Sequence, residues 1–352
     1  MTQSILSLAR PDILQLQPYQ HAAWDPSLER MHANEMPWRA AGDNTQAGLN
    51  RYPEPQPRAL VERMALLYGV PASQLLVGRG SDEAIDLLVR AFCRAGQDNV
   101  LITPPTFGFY KVAARIQGAG VLEVPLLREG FALDTDKVIA TGRLAKIVFL
   151  CSPNNPTGNL LDEDAMLRVC RELADQALVV VDEAYVEFCG RPSLSARLAE
   201  FPNLVLLRTL SKAYALAGAR LGSLLASEEI VGLLRRIIPP YAIPASTVEE
   251  VLTLTEAPQR ASAAARIRTL LDERARMAGR LTRCANVARV FPSDANFLLL
   301  ECRDARRFYE AGKAAGLIVR DFSAYPGLSH CLRVSIGTPQ QNERLLAAVE
   351  QS

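Results

Sequence analysis

The chain reads as an α/β protein, with a large lobe built on a mostly parallel sheet covered by helices and a smaller α/β lobe after it. Three observations predict this. Between residues 75 and 226, short apolar runs alternate with helix-like segments. The runs at 146–151, 177–181 and 203–208 are nearly continuous in apolar residues, as strands buried on both faces require. Beyond residue 245 the chain turns rich in alanine, leucine, arginine and glutamate, then returns to strand-like segments.

The elements follow in order. Residues 1 to about 30 are mixed, and 31–37 form a short extended or loop segment. Three prolines at 53, 55 and 57 exclude regular structure there. A helix from about 58 to 68 ends at Gly69, a suitable C-terminal cap. A short strand then runs into the turn Gly78-Arg79-Gly80, and a helix begins at Ser81. Its unpaired N–H groups and dipole suit an anion, although a Gly-x-Gly pair alone is a weak signal. Residues 99–110 are a strand leading to an aromatic turn, a strand follows at 120–126 and a helix at about 134–140. The helix of about 162–176 has Asp162 at the cap position. A helix of about 228–238 stops at Pro239-Pro240, and 245–285 forms one or two long helices whose arginines make a solvated face. Strands are expected at 287–293, 296–302, 317–321 and 331–337, helices at 303–315 and at the C-terminus. Alternation within 332–336 places Arg333 and Ser335 on one face of their strand.

With 352 residues the chain can bury one large core and a second, smaller one. A net charge of +1 gives no reason to expect nucleic acid. Seven cysteines, with no Cys-x-x-Cys pair, suggest reduced thiols and a cytoplasmic protein. The three histidines, at 21, 32 and 330, are scattered, so no metal site is expected. The apolar run at 4–9 is too short for a signal peptide, and no stretch has the length of a membrane span.

Chemistry concentrates at three strand ends. One apolar run leads into Thr209-Leu210-Ser211-Lys212, with Arg220 eight residues further on. A second ends in Asp182-Glu183-Ala184-Tyr185, a third in Asn154-Asn155-Pro156-Thr157-Gly158. In open α/β sheets the ligand site lies beyond the carboxyl ends of the strands. These residue types suit pyridoxal 5'-phosphate. A lysine amine can condense with its aldehyde, and an aspartate can keep the pyridine nitrogen protonated, which makes the ring an electron sink. An asparagine amide can donate to the phenolic oxygen, and an arginine fork with hydroxyl groups can hold the phosphate.

Asn155-Pro156-Thr157-Gly158, Asp182-Glu183-Ala184-Tyr185 and Ser211-Lys212 with Arg220 resemble the fold-type I aminotransferases, and among them those that act on histidinol phosphate. The resemblance covers most of the chain. It implies a seven-stranded sheet in a large domain of 30–240 and a small domain formed by 1–29 and 241–352. It implies that Lys212, Asp182 and Tyr185 are catalytic. Cofactor contacts fall to Ser81 and Asp82 through their amides, and to Phe107, Asn155, Asp182, Tyr185, Thr209, Ser211, Lys212 and Arg220. The family usually has tyrosine where this chain has Phe107; a phenyl ring still stacks on a pyridine face, but any polar role is lost. Substrate contacts fall to Tyr19, Asn34, Tyr52, Asn155, Arg320 and Arg333, with Arg333 on the anionic end. Arg51-Tyr52-Pro53 would lie at the interface of a homodimer, with Tyr52 entering the partner's site.

The expected reaction is amino transfer between L-histidinol phosphate and 2-oxoglutarate, giving imidazole acetol phosphate and L-glutamate, in histidine biosynthesis. A broad-specificity or aromatic aminotransferase and a threonine-phosphate decarboxylase are the alternatives within the fold. A transcriptional regulator with an aminotransferase-like sensor domain would need a DNA-binding module. The roughly 30 residues before the first motif show no helix-turn-helix pattern or basic patch.

Overall fold

The computed structural model describes residues 4–20, 25 and 27–350. His21, one of the three histidines, lies outside the described residues. The large sheet holds strands β1 (Leu75–Gly78), β2 (Asn99–Ile102), β3 (Gly120–Glu123), β4 (Ile147–Cys151), β5 (Leu178–Asp182), β6 (Leu204–Thr209) and β7 (Gly222–Leu225). Their order is β1-β7-β6-β5-β4-β2-β3, and only β7 runs antiparallel to its neighbours. Every residue of β4, β5 and β6 is buried, because helices cover both faces. Full burial of each such valine, leucine or phenylalanine contributes about 1.5 to 3 kcal/mol.

One buried residue of β6 is charged. Arg208 pairs with Glu187 at 2.7 Å and Glu183 at 3.5 Å, and lies over the Tyr68 ring at 4.6 Å. These partners offset the cost of burying a guanidinium, which the apolar run around it gives no hint of. β7 is the one strand of this sheet that the sequence pattern does not announce, since Gly222-Ser223 interrupts its apolar run.

Helix termini behave as their residues dictate. The helix Arg58–Tyr68 ends at Gly69, whose φ of 69° is left-handed. Asp134 and Asp162 cap their helices by accepting hydrogen bonds from the N–H groups of Lys137 and Ala165, each worth about 1 kcal/mol.

The smaller sheet is wholly antiparallel, in the order β10-β11-β9-β8. Its strands are β8 (Val287–Val290), β9 (Phe297–Cys302), β10 (Arg320–Asp321) and β11 (Cys331–Ser335). It packs against the long helix Ala257–Leu281 and the helices Ala305–Ala314 and Pro339–Glu350 around its own core of Leu298, Leu300, Phe308 and Leu346. On the long helix Arg276 and Arg280 pair with surface glutamates, as a solvated face should. Arg274 differs: it turns inward to donate to the carbonyls of Ala295 and Phe188, which ties this lobe to the large one.

Two segments at the edges of the expected domain division pack on the large lobe. Residues 5–9 do not join the small lobe; Ile5, Leu8 and Ala9 are buried in the large core, and Arg10 N–H donates to the Ala91 carbonyl. The helix Ala245–Leu254 likewise packs on the helix Arg58–Tyr68, with Val251 in the large core. Apolar contact decides both placements.

Candidate active site

The carboxyl ends of β4, β5 and β6 open on a cavity of about 170 Å³. Its lining includes Ser81, Asp82, Phe107, Asn155, Asp182, Tyr185, Thr209, Ser211, Lys212 and Arg220, so all ten expected cofactor contacts converge there. A larger groove of about 880 Å³ runs past Tyr19, Arg58, Arg235 and Arg236. Its arginines are already committed: Arg58 to Glu62, and Arg235 and Arg236 to the carbonyls of Leu75 and Leu14. Chemistry, not volume, separates the two.

Asp182 ends β5 and is buried. Its Oδ1 accepts from the Ala184 N–H at 3.1 Å and its Oδ2 from the Tyr110 hydroxyl at 2.7 Å. Burial pushes its proton affinity up to about 6, despite those donors and the Lys212 charge. Lys212 is accessible from the cavity. Partial burial and the nearby Arg333 and Arg220 charges lower its pKa below the ordinary lysine range, with Asp82 and Asp182 opposing. Its Nζ lies 5.9 Å from the centroid of the Tyr185 ring. Burial raises the Tyr185 hydroxyl above the usual tyrosine range.

At one end of the cavity the backbone forms an anion cradle. The helix Ser81–Phe92 begins after Gly80 with no side-chain cap, which leaves its first N–H groups available. The Thr209 hydroxyl donates to Ser211 Oγ at 3.0 Å and accepts from the Ser211 N–H at 3.1 Å. Arg220 adopts left-handed backbone, with φ of 53°, and is held by the Ala217 carbonyl at 3.2 Å and by Asp82 at 3.5 Å. Gly222 fits closely against this turn: a Cβ there would lie 2.3 Å from Gly80 C and Ser81 N. Gly80, at φ 86°, would bring a Cβ to 2.9 Å from the Arg220 guanidinium. Uncapped amides, two hydroxyls and a guanidinium suit a phosphate, and a lysine beside a buried carboxylate suits the aldehyde and ring nitrogen of pyridoxal 5'-phosphate. The donor set fits that group.

Asn155 links the cavity to the small lobe. Its Oδ1 accepts a short hydrogen bond from Arg333, which leaves the amide N–H groups to donate elsewhere. Arg333 is half-buried on β11, with its guanidinium 5.2 Å from the Phe297 centroid and 5.3 Å from that of Phe322. Burial is the main cause, and Arg320 a further one, that lowers its pKa. Arg320 on β10 is the register partner of Arg333, so two cations sit side by side at this end. Arg333 is not an edge-strand charge, because β11 is flanked by β9 and β10.

Tyr19, Asn34 and Tyr52 lie outside the cavity, and all three are exposed. Tyr52 stacks on Tyr241 with ring centroids 4.5 Å apart. Arg320 is also exposed, and neither it nor Arg333 lines the cavity; Arg333 touches it through Asn155. Sequence reasoning missed Tyr110 and Cys151. Cys151 is the register partner of Asp182 and lines the cavity. Its place as the last residue of a buried strand, next to Ser152-Pro153, was the available signal. Tyr110 carried none beyond its place in an aromatic turn.

The sheet order and the groups at its carboxyl edge define a fold-type I transferase of the pyridoxal-phosphate-dependent kind. The chain belongs to the class I and II aminotransferase family, whose model matches residues 27–349. Within that family it is 48% identical over 351 residues to the histidinol-phosphate aminotransferase of Stenotrophomonas maltophilia, covering 98% of this chain and 96% of that protein. The histidinol-phosphate aminotransferase of Sinorhizobium meliloti, solved in complex with pyridoxal-5'-phosphate, shares the fold with a TM-score of 0.78 at 24% identity, over 86% of this chain and 82% of that one. The L-threonine-O-3-phosphate decarboxylase of Porphyromonas gingivalis does so with a TM-score of 0.71 at 26% identity, over 86% and 93% of the two chains.

Proposed function

We propose that this chain is a pyridoxal-phosphate-dependent transaminase that moves the amino group of L-histidinol phosphate to 2-oxoglutarate, as a step of histidine biosynthesis. The observation that carries the reading is the 48% identity to a histidinol-phosphate aminotransferase along 98% of the chain. The cavity at the carboxyl ends of β4 to β6 supports it with suitable chemistry.

When bound, the cofactor supplies an aldehyde that takes up the amine and a ring that withdraws electrons from the carbon beside it. Thr209, Ser211, Arg220 and the amides of Ser81 and Asp82 hold the phosphate at the cradle. Asp182 would accept a hydrogen bond from the protonated ring nitrogen and keep it charged. Asn155 and Tyr185 would donate to the phenolic oxygen, and Phe107 would lie against the ring. Lys212 Nζ, whose lowered proton affinity increases its free-base fraction, takes the proton from the substrate carbon that carries the amine. Arg333 pairs with the anionic end of each substrate in turn, a carboxylate of glutamate or the phosphate ester, because a guanidinium fork matches both. Arg320 adds charge for the phosphate.

The active unit is a cytoplasmic homodimer in this reading. Residues 31–52 expose the apolar side chains of Met31, Met36, Trp38, Leu49 and Tyr52 among polar ones, and a second copy would cover them. Tyr52 would then enter the partner's site, with Tyr19 and Asn34 beside substrate. All seven cysteines are free thiols, as a reducing compartment allows. Mixed dimers of Tyr52→Ala and Lys212→Ala chains should recover activity that neither variant shows alone; verified mixed dimers without activity would count against a shared site.

The threonine-phosphate decarboxylase also matches the fold, so a phosphorylated amine alone does not decide the reaction. Amino transfer should be assayed with histidinol phosphate and, in parallel, with phenylalanine, tyrosine and threonine phosphate. Preference for histidinol phosphate supports the assignment. Preference for phenylalanine, or carbon dioxide release from threonine phosphate, would replace it.

A further inference from the structure

The helix Phe109–Gln117 turns Tyr110 inward, where the side chain is wholly buried. Its ring stacks on Phe149 of β4, with centroids 4.7 Å apart and planes 4° apart. It meets the Phe107 ring edge-on at 5.5 Å, and Phe107 lines the cavity. So clamped, the phenol places its hydroxyl 2.7 Å from Asp182 Oδ2. The other oxygen, Oδ1, is taken by the Ala184 N–H. Two donors on two oxygens fix the plane of the carboxylate and leave lone pairs free for a partner in the cavity. Phenylalanine at 110 would keep both ring contacts, so packing does not explain the hydroxyl. A buried hydroxyl without a partner is costly, and Asp182 supplies the partner.

We propose that Tyr110 is a positioning residue for the proposed reaction: its hydroxyl orients Asp182 and keeps it ionised, and so sets how firmly the site grips a protonated ring nitrogen. This rests on the cofactor reading above. The other charged or titratable groups facing Asp182 come from each neighbouring element. They are Cys151 from β4, Tyr185 beyond β5, Lys212 beyond β6 and Asp82 from the helix Ser81–Phe92. Lys212 favours the carboxylate, while Asp82 and burial disfavour it. Tyr110 is the one side-chain hydrogen-bond donor to it among the described residues.

The test titrates full-length protein with pyridoxal 5'-phosphate, read by absorbance and fluorescence, across mildly acidic to mildly alkaline pH. Wild-type affinity should fall as pH drops through about 6, where Asp182 takes up a proton. In Tyr110→Phe that fall should move up by about one pH unit, the effect of one lost hydrogen bond to a charged group. At neutral pH that shift lowers the ionised fraction from about nine-tenths to about half, so turnover should fall about twofold with KM little changed. Phe149→Leu is the control, since it loosens the ring stack but spares the hydroxyl. It should lower Tm without moving the pH midpoint. A Tyr110→Phe midpoint equal to wild type, or an equal shift in Phe149→Leu, overturns the role given to Tyr110. A wild-type chain that takes up no pyridoxal 5'-phosphate overturns this and the functional reading together.

Discussion

Asp182→Asn should make the cofactor-free protein more stable and the enzyme far less active. The carboxylate is buried, and burial is the largest influence on its proton affinity. A folded-state value of about 6 exceeds the ordinary 3.8, so between those values the native chain binds the proton more strongly than the unfolded chain. Native stability therefore falls as pH rises through that window. The cost is absent below about 3.8 and fully present above about 6. At about 1.4 kcal/mol per unit, the gap between 3.8 and about 6 amounts to at most about 3 kcal/mol. Asparagine removes the charge but still offers an oxygen to the Ala184 N–H and an amide to the Tyr110 hydroxyl. Thermal unfolding of cofactor-free wild type and Asp182→Asn should therefore diverge at neutral pH, with the variant higher, and converge as the pH approaches 4. With cofactor and substrates present, the variant should lose kcat far more than KM, because the charge matters most when electrons flow into the ring. A variant less stable than wild type at neutral pH, or a difference independent of pH, would refute the claim that burial of a charge dominates at Asp182. A rise in KM alone would refute its role in the chemistry.

Lys212→Ala should abolish turnover while some pyridoxal 5'-phosphate still binds through the cradle; near-normal turnover would end the mechanism. Arg333→Ala should weaken both substrates by roughly 30-fold to 1,000-fold in kcat/KM, the equivalent of about 2 to 4 kcal/mol for one charge-assisted contact. Arg320→Ala should weaken histidinol phosphate more than glutamate, and should narrow the gap between histidinol phosphate and unphosphorylated histidinol. Equal losses on all substrates would deny Arg320 a phosphate role. Gly222→Ala should reduce cofactor affinity, measured by equilibrium titration, because its Cβ would press on Gly80 and Ser81 at 2.3 Å and displace the uncapped amides. Unchanged affinity would show that this turn can move without cost.

Much of this protein is readable along the chain because local chemistry decides it. The buried strands β4, β5 and β6 announce themselves as unbroken apolar runs, since a parallel sheet covered on both faces leaves no polar side to alternate. Gly69 and Asp162 mark helix ends because capping is a property of one residue and its nearest neighbours. Lys212, Asp182 and Asn155 could be placed at one edge before any coordinates, because each follows such a strand and ligands bind beyond strand ends. What the tertiary structure alone decided involves partners far apart in sequence. Tyr110 meets Asp182 across 72 positions, and Arg333 meets Asn155 across 178. Residues 5–9 join the large core rather than the small lobe, for want of any local signal naming their neighbours. β7 reverses direction and brings Gly222 against Gly80, a steric fit that no periodicity encodes. Periodicity and capping report on a residue's own few neighbours, whereas a proton affinity or a close backbone approach depends on which distant groups the fold packs against it.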